Sequence, residues 1–458
     1  MILILAIPLS AQDRIQQNSE RIIAHALNSS QSYETLAYLT DNIGPRLSGS
    51  RGLTLAVAWT TKRFRDWGID VRNERVMVPH WTRGVERGRL VTHNSQRIVL
   101  TALGGSVATP ADGIMGDVVE VNSEEELKAL GRSKVNGKIV LFNRAMDATL
   151  VADGRAFEAY SKAVEFRGKG ADLAAPLGAA AVLVRSVTSS SLRTPHTGSV
   201  RYEGKVKKIP AAAVTVEDAM LLHRLLKKGE RVRMHLTLTP RTLPDVESAN
   251  VVAEIRGTEL PDEIVLIGGH LDSWDLGTGA IDNGSGVAMV METMRILKEL
   301  GIRPRRTIRC VLFTNEENGL RGGRGYAKDH AAELPKHVAA IETDAGTAGL
   351  EGFRTTIGGE ALAALEARLE PILQRIAPAT FVTTRNTGAD TGPLTAEGVP
   401  GFGLATDSRH YFDHHHAPSD TLDKVNPDDL AKNTAAIAAL AYVLADQEGT
   451  LPRVVVKR

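Results

Sequence analysis

Three apolar segments in the C-terminal half of the chain each run directly into residues that bind metals or move protons. This pattern constrains the fold more than any other feature. Ile264–Gly269 leads into His270-Leu271-Asp272, Thr307–Thr314 into Asn315-Glu316-Glu317, and Val338–Thr343 into Asp344. Such short, β-branched-rich runs suit strands covered on both faces. A further strand is expected at Asn250–Ile255, and helical spacing recurs near Gly284–Leu300, Gly322–Asp329, Ala361–Ile376 and Pro427–Ala445. The alternation predicts an α/β fold with a mixed, largely parallel sheet and helices on both faces. Ligands of such sheets bind outside the C-terminal strand ends, which is where these residues fall.

Residues 20–75 read as helical, broken by the turn-rich Ile43-Gly44-Pro45-Arg46-Leu47-Ser48-Gly49-Ser50, which reads as packing. From 97 to 240 the texture becomes short buried strands such as Gly116–Val121, Gly137–Phe142, Gly178–Val184 and Ile209–Val214, with no titratable cluster. This span reads as a separate inserted module. The body is then built from 12–96 and 241–458. Met1–Ala11 resembles the apolar core and small-residue end of a secretory signal, without the basic start, and implies a secreted or periplasmic product.

Composition narrows the chemistry. The 458 residues include one cysteine, so intramolecular disulfides, Cys-rich zinc sites and CxxC redox chemistry are excluded. Any metal must be held by the 13 His and 54 Asp and Glu. The lone Cys310 falls in a buried strand as a small hydrophobe. A formal net charge of +1 leaves no footprint for nucleic acid, and no apolar run is long enough to span a membrane.

Two loops complete the set of candidates. Gly277–Gly286 carries Asp282 just before a helix, where it could be an N-cap; its glycines match neither the phosphate-loop nor the dinucleotide pattern, and Asn283 spoils a serine-nucleophile elbow. His410-Tyr411-Phe412-Asp413-His414-His415-His416 places four histidines in seven residues, a polar loop or a nitrogen-ligand source. Asp390 reads as a turn residue.

The series His270-x-Asp272, Asp282-Asn283-Gly284, Asn315-Glu316-Glu317, Asp344 and His416-x-x-x-Asp420-Thr421 resembles the co-catalytic zinc exopeptidase family of aminopeptidases and glutamate carboxypeptidases. The likeness extends over nearly the whole chain, with 97–240 similar to the protease-associated domain inserted into such enzymes. It implies two Zn2+ per chain. His270 and Asp344 would hold one, Glu317 and His416 the other, and Asp282 would bridge them. Glu316 would be the general acid/base and Asp272 would orient His270; spacing alone does not divide the roles of Glu316 and Glu317. The resemblance also implies a cis Asp282–Asn283 peptide and, as an equal alternative to a turn role, a substrate-pocket position for Asp390. One departure is Ala417, where the family usually has Ser or Thr, and His414 and His415 stand beside His416. The implied activity is hydrolysis of small peptides, in particular unblocked dipeptides, by a homodimer. A zinc aminopeptidase is the alternative. A receptor-like, non-catalytic binding module fits less well, because every ligand type and Glu316 are retained.

Overall fold

A computed structural model describes residues 11–203 and 207–455. The signal-like stretch therefore lies, apart from Ala11, outside the described residues. Two eight-stranded sheets organise the chain.

The first sheet runs in the order Asp70–Thr82, Arg241–Ile255, Arg306–Phe313, Leu260–His270, His337–Glu342, Gly401–Thr406, Leu350–Thr355, Phe381–Thr383. Its four central strands are mutually parallel, with Val265 level with Ile308 on one side and Ala339 on the other. Antiparallel strands flank them, so the sheet is mixed with a parallel centre.

Side chains alternate across this sheet as a period of two requires. Val265, Ile267, Ile308, Cys310, Leu312 and Ile341 face a large core under helices Ala11–Asn28, Ser285–Glu299, Gly359–Leu373 and Pro427–Asp446. Leu266, Val311, Phe313 and Ala340 face a smaller core with Tyr326 and Leu394, under helices Arg321–Asp329 and Gly392–Ala396. Both faces are covered, as the short apolar runs predicted. Burial pushes the Cys310 thiol up, consistent with an inert hydrophobe.

The second sheet has the order Gln96–Ile98, Glu86–Leu90, Arg233–Leu238, Ile114–Val121, Ile139–Phe142, Ala181–Arg185, Ala211–Val214, Leu100–Ala102. It also alternates between two cores. Its strands begin at Glu86, ahead of the expected 97. Glu86-Arg87-Gly88-Arg89-Leu90 buries only Gly88 and Leu90 and carries little apolar signal of its own; its pairing with Arg233–Leu238 is what makes it a strand. Among the described residues no helix is long and apolar enough to cross a membrane.

Candidate metal centre

The parallel centre of the first sheet brings the ends of its strands to one edge. Leu260–His270 delivers His270 and Asp272, Arg306–Phe313 delivers Glu316 and Glu317, and His337–Glu342 delivers Asp344. Helix Ser285–Glu299 starts beside this edge, and Asp282 sits in the turn before it. Glycine is required where that helix meets the sheet: a Cβ on Gly286 would lie 2.1 Å from Asn283 Oδ1 and 2.2 Å from the Thr343 carbonyl oxygen. The Asp282–Asn283 peptide is cis, as the resemblance implied.

Asp282 lies at the middle of the cluster. Its Oδ1 is 3.2 Å from His270 Nε2, and its Oδ2 is 3.3 Å from His416 Nε2. His270 Nε2 is also 3.6 Å from Asp344 Oδ1, and His416 Nε2 is 3.0 Å from Glu317 Oε2. The five expected ligands are thus brought together as two groups sharing one carboxylate. His415 joins them: its ring stacks on His416 with centroids 3.6 Å apart, and its Nε2 is 3.5 Å from Asp282 Oδ2. His410 and His414 are turned to other partners, Asp413 and Ser419.

Electrostatics show what the cluster needs. Burial and neighbouring Glu317, Asp344 and Asp390 push the Glu316 carboxyl well above the usual range. Burial and Asp282 raise Glu317 to about 7. Burial alone would raise Asp282 too, but the hydrogen bond from His270 and the adjacent imidazoles of His416 and His415 hold it well below. Three carboxylate oxygens, Asp282 Oδ2, Glu317 Oε1 and Asp344 Oδ1, lie buried without a hydrogen bond. Orphaned, crowded anions of this kind are costly unless a cation satisfies them. Oxygen and imidazole donors in this number suit zinc.

A family model for "Peptidase family M28" matches residues 250–441. Carboxypeptidase Q of Mus musculus is 38% identical over 424 residues, spanning 92% of this chain and 87% of that protein. The chain belongs to peptidase family M28. As a member it is a metallopeptidase. A crystal structure of a peptidase M28 precursor from Shewanella amazonensis superposes with TM-score 0.91 at 37% identity, covering 97% of this chain and 99% of that one. The fold is shared more distantly by a zinc aminopeptidase from Bacillus subtilis, at TM-score 0.69, 20% identity and coverage of 94% and 100%.

Around this cluster of histidines and carboxylates, a second layer of residues sets the geometry. His270 Nδ1–H donates to the Asp272 main-chain carbonyl at 2.9 Å, while the Asp272 carboxylate stands 3.8 Å away. Asp272 therefore orients His270 through its backbone. Its carboxylate accepts instead from the main-chain N–H groups of Glu316 and Glu317, at 3.0 and 3.3 Å, which fixes the turn presenting both glutamates. Asp420 does the same for Asp282: its two oxygens accept from Ile281 N at 2.7 Å and Asp282 N at 3.2 Å. Asp420 was visible only as part of the last motif, without a role. Asp390 is fully buried with both carboxylate oxygens unpaired, and burial and Glu342 raise it well above the usual range.

Arg46, from the segment that read as packing, is a further addition. Fully buried, it donates to the carbonyls of Leu271, Gly44, Thr278 and Gly279 at 2.8, 3.1, 2.7 and 2.9 Å. It therefore ties the His270 loop to the Asp282 loop and sets a cation behind the carboxylates. Burial lowers its guanidinium to about 10, against the raising influence of Asp420, Asp272, Asp282 and Glu317. Arg46→Met should destabilise the protein by about 3–5 kcal/mol, the usual result of removing one partner of a buried charge network. Chemical denaturation measures this, and a loss below about 1 kcal/mol would contradict it.

Proposed function

We propose that this metallopeptidase is a two-zinc exopeptidase that hydrolyses small peptides, in particular unblocked dipeptides. The observation carrying this reading is the pair of ligand groups that share Asp282, with three buried carboxylate oxygens unsatisfied. In it, His270 and Asp344 hold one Zn2+, Glu317 and His416 the other, and Asp282 bridges. Bound zinc would act as a Lewis acid on the scissile carbonyl. Glu316 would take a proton from the attacking water and return it to the leaving amine. The adjacent glutamates can divide their roles because Asp272 holds both main-chain N–H groups and sets the turn between them.

Dipeptidase action is supported by the 38% identity to carboxypeptidase Q, and by a cation able to hold a free carboxylate. Arg354 donates from Nε to the Leu404 carbonyl at 2.9 Å, lies over the Phe157 ring at 5.2 Å and feels the charge of Asp344. It makes no ion pair among the described residues. The inserted module, expected at 97–240, is read as a protease-associated domain that covers one side of the centre. Homodimer assembly and export, to the periplasm or the medium, belong to the same reading; the signal-like start supports export.

Four substrates test the mode: a free dipeptide, its N-blocked and C-amidated forms, and a tripeptide. A dipeptidase cleaves only the first, and Arg354→Met should then raise KM for it by about tenfold, about 1.4 kcal/mol of lost carboxylate binding. Ready cleavage of the amide and the tripeptide would favour the aminopeptidase alternative.

A further inference from the structure

The two ligand groups differ in what holds them in place. His270 finds its Nδ1–H acceptor within the catalytic body, at the Asp272 carbonyl, 2.9 Å away. His416 does not. Its Nδ1 lies 3.3 Å from both the Thr197 carbonyl and Arg167 Nη1 of the inserted module; with Nε2 turned to the metal position, Nδ1–H donates to that carbonyl, and the His416 carbonyl accepts from Thr197 N at 2.9 Å. One residue earlier, His196 Nδ1–H donates to the His415 carbonyl at 2.8 Å. Two residues later, Ser199 Oγ donates to the main-chain carbonyl of Glu317 at 3.1 Å. A single four-residue segment thus touches the backbone or ring of both private ligands of one metal position, and among the described residues no hydrogen bond joins it to His270 or Asp344.

The segment is itself anchored by burial and main-chain contacts. His196 and Thr197 are buried, Ser199 bridges Gly104, and the Thr197 carbonyl also accepts from Arg167 Nη1 at 3.3 Å. His416 needs such a partner: its φ is +61°, a left-handed conformation that a non-glycine residue keeps only when its surroundings impose it. We infer that the inserted module is a working part of the Glu317–His416 metal position: His196, Thr197 and Ser199 are positioning residues that set the occupancy of that position alone. The inference rests on the ligand assignment proposed above.

Its test is zinc binding by the full-length chain, not turnover. The metal-free protein is equilibrated with buffers of graded free Zn2+, and bound metal per chain is counted by elemental analysis. In the double variant His196→Phe/Ser199→Ala, the first ion should bind as in the parent and the second about 10–100-fold more weakly, the usual cost of losing a group that orients a ligand. His196→Asn with Ser199 retained keeps a donor for the His415 carbonyl and should recover most of the second-ion affinity. Ser199→Ala alone, a mild change, should show a smaller loss of the same kind and keeps the test alive if the double variant misfolds. Unchanged second-ion affinity, or equal weakening of both ions, would overturn the inference. His416→Ala separates the two levels. If it holds one ion while the module variants hold two at parental affinity, only the module's role fails; if it still holds two, the ligand assignment fails with it.

Discussion

Glu316→Gln is expected to retain its full complement of zinc while kcat falls by about 10^2–10^4-fold, the range typical for losing a general acid/base. Glutamine keeps the shape and hydrogen-bonding reach of glutamate but cannot accept and return a proton. Its position should be preserved, because the Glu316 main-chain N–H is held by Asp272 Oδ1 at 3.0 Å whatever the side chain carries. The ligand groups centred on Asp282 do not include Glu316, so metal content should not respond. Elemental analysis and dipeptide kinetics on one preparation decide the matter. Normal turnover would remove Glu316 from the role, and loss of zinc would mark it as a ligand, exchanging its part with Glu317.

Asp282→Ala should act in the opposite order, losing metal first and activity as a consequence. Among the described residues, Asp282 is the only carboxylate whose oxygens lie next to both His270 and His416, at 3.2 and 3.3 Å, so its removal leaves each group one anion short. Metal content should fall from two ions to fewer than one per chain at free zinc levels that saturate the parent. Activity should fall by about 10^3-fold or more, since metal polarisation of the carbonyl supplies several kcal/mol and each 1.36 kcal/mol is tenfold. Chelation of the parent should reproduce this loss, and added Zn2+ should restore the parent but not the variant. Retention of two ions by D282A would disprove the bridge.

Much of this site is legible in the linear chain because parallel strands buried on both faces must be largely apolar. A polar residue inside such a strand needs its own partner, as Arg309 has in Glu254 and Glu333, so the cluster of His270, Glu316, Glu317 and Asp344 just past Ile264–Gly269, Thr307–Thr314 and Val338–Thr343 stands out. Asp282, before a helix, and His416, among four histidines, are ambiguous from local pattern and were assigned by resemblance. Arg46 carries no local signal. Its partners are the carbonyls of Leu271, Thr278 and Gly279, more than two hundred residues away, and a backbone acceptor leaves no mark in residue identity. The same holds for Glu86–Leu90, a strand only by virtue of Arg233–Leu238.

By itself the sequence determined the α/β class, the strand ends that carry chemistry and, with one cysteine available, a nitrogen and oxygen ligand set. Only the tertiary structure decided how that set is held: Arg46 behind it, Asp420 beneath Asp282, the Asp272 carboxylate on the glutamate turn, and the 196–199 segment against His416 and Glu317. The division follows from what each interaction reads. Strand burial and ligand chemistry depend on side-chain type and are written residue by residue, whereas the supporting hydrogen bonds run largely to main-chain groups, which every residue possesses and only folding brings within reach.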